Sequence, residues 1–318
     1  MNNNRKKIYL LLLTGFLLGT VCPLSAQDIL PAISRGDRHA ERVMPIEEML
    51  RCMTKVEVND MMPAGFKSTL DNKIEDPTSS LDAFFEKLGN LDRPVRIVHI
   101  GDSHVRGHIF PYMMRHLLEE DFGKEAVMDI VVDYRTSGIA HETGKPGLIY
   151  HIIGVNGATC ASYNKPERID EIVSLKPDLI ISSFGTNEAH SRYYQSDEYR
   201  VQMKSLLSTL RQKCPAVPIL MTTPPGAYVR KGRRRIINTR TPMVVETQKQ
   251  FSKEFKLALW DMDDIVGGSD HACHNWSEAK MYQRDKIHFT AEGYKLQAQL
   301  LHEAFIKAYN DYVAANLN

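Results

Sequence analysis

The stretch VRIVHIGDSHVRGHIF, residues 95–110, decides the fold of this chain. Its first six residues are rich in β-branched side chains, which predicts a buried strand, and Gly101 ends that run. A helical pattern begins a few residues later. Ser103 therefore lies at the tip of a strand beside a helix N-terminus, which is where open α/β sheets bind their ligands. The serine is either a nucleophile or a residue that caps the helix.

The remainder of the chain after residue 90 alternates between short apolar runs and amphipathic segments. Strands are predicted at residues 95–100, 148–155, 178–184, 217–222 and 257–261, with one further candidate at 127–132. Helices are predicted at residues 105–121, 166–175, 197–213, 242–255 and 291–312. Apolar strands separated by amphipathic helices predict an α/β fold in which helices cover both faces of a parallel sheet.

Residues 1–26 have the pattern of a secretory signal peptide. Basic residues at positions 5–7 precede an apolar run over 8–21, and Ala26 is a small residue at which a signal peptidase could cut. A retained anchor helix is one alternative, although the run is shorter than the roughly 20 residues that a membrane span needs. A lipid anchor at Cys22 is another. We predict export to the periplasm or the cell exterior, with no stable membrane insertion after signal removal.

The mature chain is predicted to have two parts. Residues 27–90 form an N-terminal extension that packs on the α/β domain of residues 91–318. Within the extension, a helix is predicted in DPTSSLDAFFEKLGN, residues 76–90. Ser79 is expected to cap this helix and Gly89 to end it.

Composition excludes some classes of protein. The chain has 318 residues, of which 43% are hydrophobic and 25% are charged, so it is long enough to bury a large core. Its formal charge of +1 becomes −2 without the three basic residues of the signal, which gives no electrostatic basis for binding nucleic acid. Disulfides and free thiols are both possible for the cysteines outside the signal, because a chain of this size does not need a disulfide framework. Their long spacings match no metal-binding signature. These cysteines are Cys52, Cys160, Cys214 and Cys273.

Four polar blocks follow the predicted strands or precede the last helix. They are GDSH at 101–104, GVNGAT at 154–159, GTNE at 185–188 and DKIHFT at 285–290. In order, spacing and flanking pattern, these blocks resemble the SGNH hydrolases, the GDSL-type esterase superfamily, over roughly residues 95–310. The resemblance implies a three-layer α/β/α sandwich with a parallel, flavodoxin-like sheet.

The resemblance also implies a role for five residues. Ser103 corresponds to the nucleophile, His288 to the base and Asp285 to the carboxylate that orients the base. The backbone N–H groups of Ser103 and Gly157 and the side chain of Asn187 correspond to the oxyanion hole. The chemistry agrees, because a serine needs an imidazole to accept its proton and a tetrahedral intermediate needs donors aimed at its oxyanion.

His104 stands where many relatives have leucine. The GDSH, NGAT and DxxHFT blocks together are similar to the branch that includes bacterial peptidoglycan O-acetylesterases. The resemblance implies an exported serine esterase that removes O-acetyl groups from a carbohydrate polymer, with peptidoglycan as the first candidate. The alternatives are an acetylxylan or other polysaccharide deacetylase, a lysophospholipase or thioesterase of the same superfamily, and a glycan-binding protein without catalysis. No cofactor is required, and a monomer is expected.

Three further residues are candidates for substrate binding. His104 could contact the substrate, Arg233 lies in a basic run that could hold an anionic glycan, and Trp276 could stack on a sugar ring. Each also has a structural alternative, either as a packed core residue or as part of a solvated loop. A metal site is not expected, because His104 and His108 lack the acidic residue of an HExxH pattern. His271, Cys273 and His274 also lie close together in the sequence, but the triad that the resemblance implies needs no metal.

Overall fold

A computed structural model describes residues 62–128 and 138–317, together with two short antiparallel strands, β1 (Ile8–Tyr9) and β2 (Val56–Glu57). Apart from these two strands, the predicted signal peptide, Cys22, Cys52 and the first part of the extension lie outside the described residues. None of the helices in the described ranges combines the length and the apolar character that crossing a bilayer requires.

Eight further strands and eleven α-helices lie in the described part of the chain. The strands are β3 (Ile74–Glu75), β4 (Pro94–Gly101), β5 (Gly147–Gly154), β6 (Leu179–Ser183), β7 (Ile219–Thr222), β8 (Tyr228–Lys231), β9 (Arg234–Ile237) and β10 (Ala258–Trp260). The helices are α1 (Asp82–Asn90), α2 (Ser103–Arg106), α3 (Ile109–Phe122), α4 (Cys160–Tyr163), α5 (Pro166–Ser174), α6 (Thr186–His190), α7 (Ser196–Lys213), α8 (Thr241–Phe255), α9 (Met262–Ile265), α10 (Gly268–Glu278) and α11 (Ala291–Leu317).

The central sheet has six strands in the order β3-β10-β7-β6-β4-β5. All neighbours are parallel except β3, which runs antiparallel to β10 at one edge. Numbered along the chain, the five parallel strands follow the order 2-1-3-4-5, which is the flavodoxin-like arrangement. The direction of strand addition reverses between β4 and β6, so the residues after β4 lie at the topological switch point.

Helices cover both faces of this sheet, so the predicted three-layer α/β/α sandwich is confirmed. Neighbouring residues of β4 point to opposite faces, as a pleated strand requires. Ile97 packs in one cluster with Phe305 of α11, whereas Val98 packs in the other with Leu206 of α7 and Phe251 of α8. All of these side chains are buried.

The five principal strand predictions are confirmed, each to within two residues. The helices predicted at 166–175, 197–213 and 242–255 are α5, α7 and α8, and the last predicted helix continues as α11 to Leu317. The candidate strand at 127–132 lies mostly outside the described residues. Its first residue, Val127, forms an isolated bridge with Glu142.

Two helix predictions are wrong in detail. The helix predicted at 105–121 is two helices, α2 and α3, because His108 adopts a left-handed conformation with φ 66°. Ser79 does not cap α1; the carboxylate of Asp76 accepts hydrogen bonds from the N–H groups of Ser80 and Leu81 instead. Gly89 lies inside α1, which ends at a left-handed leucine, residue 91.

β4 and β5 end at paired glycines, Gly101 and Gly154, and helix α2 lies directly on these strand ends. A Cβ atom added to Gly154 would lie 2.6 Å from the carbonyl carbon of Val105 and would overlap the backbone of Arg106. Because backbone atoms cannot rotate away, only glycine fits at this position.

The Gly154→Ala variant is therefore expected to lower the free energy of unfolding by about 3 kcal/mol, the upper end of the usual cost of overpacking. Chemical denaturation of the purified variant measures this difference. Gly89→Ala is the matched control, because Gly89 lies within α1 and alanine there should stabilise the helix by roughly 0.5–1 kcal/mol. Equal stability of the two variants would contradict the packing of α2 on β5.

A row of polar side chains crosses the buried sheet beneath the switch point. His99 of β4 lies with Nδ1 2.8 Å from the Tyr150 hydroxyl and Nε2 2.7 Å from the Ser183 hydroxyl. Thr222 of β7 donates to Ser183 at 2.7 Å. Both ring nitrogens of His99 are thus satisfied, as a fully buried polar group requires.

Burial of His99 makes stability depend on pH. Desolvation lowers the pKa of His99 from 6.5 to about 3. Between these values the unfolded chain binds a proton that the folded chain does not, so the free energy of unfolding falls as the pH falls. Between pH 7 and pH 5 we expect wild type to lose about 2 kcal/mol more than His99→Gln, which cannot titrate. Denaturation curves at the two pH values test this, and parallel losses in the two proteins would contradict it.

Candidate active site

Ser103 is the first residue of α2, but it does not cap that helix. The cap is Asp102, whose carboxylate accepts a hydrogen bond from the N–H of His104 at 2.9 Å. Because Asp102 satisfies the helix N-terminus, the Ser103 hydroxyl is left for another partner. That partner is Nε2 of His288, at 2.9 Å.

Asp285 and His288 lie in one tight turn before α11. One carboxylate oxygen of Asp285 accepts from the backbone N–H groups of Ile287 and His288, each at 3.0 Å. The other lies 2.6 Å from Nδ1 of His288. Partial burial alone would raise the pKa of Asp285, but the hydrogen bonds from His288 and from the backbone outweigh it and hold the pKa below its ordinary value.

This arrangement selects one tautomer of the histidine. An ionised carboxylate can only accept, so Nδ1 of His288 carries the hydrogen, and Nε2 presents its lone pair to the Ser103 hydroxyl. The three side chains form a continuous hydrogen-bonded chain in which the serine can lose its proton to the imidazole.

Gly157 lies in the loop after β5, and Asn187 lies in the first turn of α6, the short helix that follows β6. Gly157 is exposed, with φ 72°, and an added Cβ would meet no atom within 4 Å, so its backbone faces open space. The Asn187 amide donates to the carbonyl of Ala158 at 2.9 Å and, over a longer 3.3 Å, to the carboxylate of Asp102. The side chain of Asn187 therefore ties together the loops that follow β4, β5 and β6.

Glu188 has a structural function that the sequence analysis missed. Its carboxylate accepts from the N–H of Cys160 at 2.8 Å and of Gly185 at 3.0 Å, which joins the loops after β5 and β6. Burial raises the pKa of Glu188. Burial also raises the pKa of Asp102 to about 8, and the nearby charge of Glu188 adds to this effect. A glutamate three residues after a helix N-cap is the signal that could have identified this contact.

His104 packs behind His288 and does not face the solvent. It is 6% exposed, and its Nδ1 lies 3.0 Å from the Tyr294 hydroxyl. Its ring centroid is 5.3 Å from that of His288. Burial, and then the neighbouring His288, lower the pKa of His104 to about 3. The structure thus gives His104 a neutral, packed position in place of the predicted contact with substrate.

The prediction that Trp276 stacks on a sugar is wrong. Its side chain is 0% exposed, and the indole N–H donates to the carbonyl of Pro225 at 3.0 Å. Phe66 and Phe289 pack edge-on against it, with ring centroids 4.8 and 4.7 Å away. No face of the indole is left for a ligand.

Arg233 lies in the two-residue turn of the β8–β9 hairpin, where it is exposed. Its contact with an anionic glycan stays a prediction. Among the residues that the structure describes, no three histidine, cysteine or acidic side chains are grouped so that they could hold a metal ion. Cys160, Cys214 and Cys273 are free, buried thiols.

The fold and the residues at the sheet edge define a class of enzyme, and comparison with known families identifies the same class. Residues 129–296, more than half of the chain, match the GDSL-like lipase/acylhydrolase family. The chain belongs to this family of SGNH hydrolases and is a serine ester hydrolase. The match includes Gly157, Asn187, Asp285 and His288, and it begins after Ser103.

Solved structures resemble the chain at low sequence identity. A peptidoglycan O-acetylesterase superimposes with a TM-score of 0.62 at 16% identity, over 75% of this chain and 99% of that one. An acetyl-xylooligosaccharide esterase from Geobacillus gives 0.45 at 17% identity, over 68% and 94%. A GDSL-like lipase from Bacteroides thetaiotaomicron gives 0.45 at 18% identity, over 67% and 88%. No curated protein sequence matches the chain.

Proposed function

We propose that this protein is an exported serine esterase that removes O-acetyl groups from a carbohydrate polymer, with peptidoglycan as its substrate. The observation that carries the proposal is the hydrogen-bonded chain from Ser103 through His288 to Asp285 at the carboxyl edge of the sheet. This is the arrangement that makes a serine hydroxyl nucleophilic at neutral pH.

The reaction begins with attack of the Ser103 hydroxyl oxygen on the ester carbonyl carbon. The serine proton passes to Nε2 of His288, and the carboxylate of Asp285 stabilises the imidazolium that forms. The tetrahedral intermediate then expels the sugar oxygen, which takes the proton from His288. Water attacks the resulting acetyl-serine with the same histidine as base, releasing acetate and restoring the serine.

The oxyanion of the tetrahedral intermediate needs donors that are fixed in advance. The N–H groups of Ser103 and Gly157 and the amide of Asn187 serve this purpose in the proposal. Asn187 keeps its 2.9 Å bond to Ala158, and its longer bond to Asp102 is the one that an oxyanion replaces. Asp102 thereby orients the amide before substrate arrives.

Asn187→Ala is expected to lower kcat by about 100- to 1000-fold, which is the usual effect of removing one donor from an oxyanion hole. Steady-state hydrolysis of an aryl acetate measures it. The control is Asn164→Ala, because Asn164 lies at the C-terminal end of α4 and its side-chain amide donates to Ser205 of α7. If Asn187→Ala kept kcat within threefold of wild type, the amide would have no part in stabilising the oxyanion.

The substrate class rests on fold likeness and on the predicted export. The structure that superimposes with a TM-score of 0.62 is a peptidoglycan O-acetylesterase, and this chain covers almost all of it. The signal-like residues 1–26 would bring the enzyme to the compartment where cell-wall glycans lie.

Acetate release from O-acetylated peptidoglycan tests the proposal, with acetylated xylan assayed in parallel. We expect the purified protein to release acetate from peptidoglycan with the higher kcat/KM. A higher kcat/KM for xylan would mean that the substrate is a plant-type polysaccharide and not peptidoglycan. Hydrolysis of an aryl acetate without action on either polymer would overturn the proposal of a glycan substrate but not that of an esterase.

A further inference from the structure

The β8–β9 hairpin concentrates positive charge beside the active site. Five of the six residues at positions 230–235 of the hairpin are basic, in a chain whose overall formal charge is +1. All five are exposed: Arg230, Lys231, Arg233, Arg234 and Arg235. Within the described part of the chain, no carboxylate lies within ion-pair distance of any of them. Their charge is therefore available to a ligand.

Hydrogen bonds hold the hairpin against the turn that carries His288, the proposed general base. The backbone N–H of Tyr228 donates to the carbonyl of Lys286 at 2.9 Å. The guanidinium of Arg235 donates to the backbone carbonyl of Asp285. Both acceptors lie within three residues of His288, so these hydrogen bonds fix the hairpin relative to the reacting atoms.

The other side of the hairpin is fixed to the helix that carries Asn187. After β9 the chain turns back, and the side chains of Asn238 and Arg240 both donate to the carbonyl of Ala189, at 2.9 and 2.7 Å. His190 Nε2 lies 3.4 Å from the carbonyl of Tyr228. The hairpin thus contacts both the turn that carries His288 and the helix that carries Asn187, so it lies beside the active site.

The chemistry at Ser103 has no need of this charge. An acetyl ester is neutral, and the oxyanion that forms from it is assigned to three other donors. Unpaired cations beside the site raise the local concentration of anions, and a guanidinium matches the two oxygens of a carboxylate. The charge therefore acts on a part of the substrate away from the ester.

We propose that the β8–β9 hairpin is a subsite for carboxylate groups, so that the enzyme selects acetylated polymers that carry carboxylates close to the ester. This inference rests on the proposed function, in which the substrate is an acetylated glycan. Arg233 and Arg234 are the residues that test it, because neither side chain has a hydrogen-bond or ion-pair partner among the described residues.

The experiment measures competitive inhibition of aryl acetate hydrolysis, so it does not depend on which acetylated polymer is the substrate. The inhibitors are oligogalacturonate, its neutral methyl ester and an oligoglutamate of matched charge. Four proteins are compared: wild type, Arg233→Ala/Arg234→Ala, the charge-preserving Arg233→Lys/Arg234→Lys, and Lys124→Ala/Lys145→Ala. The last pair is exposed, unpaired among the described residues and close to the opposite edge of the sheet.

We expect a carboxylate oligomer to inhibit wild type, the lysine variant and the distant control, and the neutral ester to inhibit none of them. In the alanine variant the inhibition constant should rise roughly 10-fold, and in wild type it should rise with added salt. Stronger inhibition by galacturonate assigns the carboxylate to the sugar, and stronger inhibition by glutamate assigns it to a peptide. Equal inhibition constants in the alanine variant and wild type, or no inhibition by either oligomer, would overturn the subsite even if peptidoglycan proves to be the substrate.

Discussion

Replacing Ser103 with alanine is expected to lower kcat for an aryl acetate by at least about 10⁴-fold. The hydroxyl oxygen of Ser103 is the protein atom that bonds to the ester carbon in the proposed reaction, and without it no acetyl-enzyme can form. The residual rate would come from direct attack of water on the ester, with the oxyanion donors stabilising the tetrahedral intermediate. Initial rates at saturating substrate measure kcat directly.

The control for Ser103→Ala is Ser174→Ala at the end of α5, where the hydroxyl donates to the carbonyl of Glu171 and has no other partner among the described residues. This variant should keep the wild-type rate. Denaturation curves of both variants should overlay that of wild type, since neither hydroxyl is part of the core. A Ser103→Ala protein that kept one-tenth of the activity would place the nucleophile elsewhere.

Replacing Asp285 with asparagine is expected to lower kcat by about 10⁴-fold without disturbing the turn. The asparagine carbonyl can still accept from the N–H groups of Ile287 and His288, as one carboxylate oxygen does now. Its amide nitrogen would then face Nδ1 of His288 and donate to it. That contact moves the imidazole hydrogen to Nε2. A protonated Nε2 can no longer accept the proton of Ser103.

Asp197→Asn is the matched control, because Asp197 is exposed in the first turn of α7. It makes the same chemical change outside the site and should leave kcat unchanged. Loss of less than about 10-fold in Asp285→Asn would mean that the carboxylate neither selects the tautomer nor stabilises the imidazolium, and the proposed role of Asp285 would fall.

The α/β fold could be predicted from the sequence because the patterns that determine its strands and helices are local. Each parallel strand is a short apolar run, and each is followed by a polar block or a glycine. Asp285 and His288 are three residues apart, which is the separation that one turn needs. The position of Ser103 relative to them depends on strand order, and the flavodoxin-like order suggested by the resemblance places it correctly.

What the sequence did not reveal depends on contacts between distant segments. The burial of Trp276 requires Phe66 and Pro225, which lie about 210 and 50 positions away in the chain. The break between α2 and α3 comes from a left-handed histidine, a conformation that non-glycine residues seldom adopt. The sequence pattern did not predict the β8–β9 hairpin, because half of its strand residues are basic and neither strand alternates apolar with polar residues.

The most direct test of the account is to locate the nucleophile by covalent labelling. The protein is treated with a fluorophosphonate, which reacts with activated serines, and the labelled peptide is identified by mass spectrometry. We predict one adduct, on the peptide that contains Ser103, and no adduct in Ser103→Ala or in protein denatured before treatment. An adduct on another serine, or an unlabelled native protein that nonetheless hydrolyses esters, would contradict the assignment of Ser103 as the nucleophile.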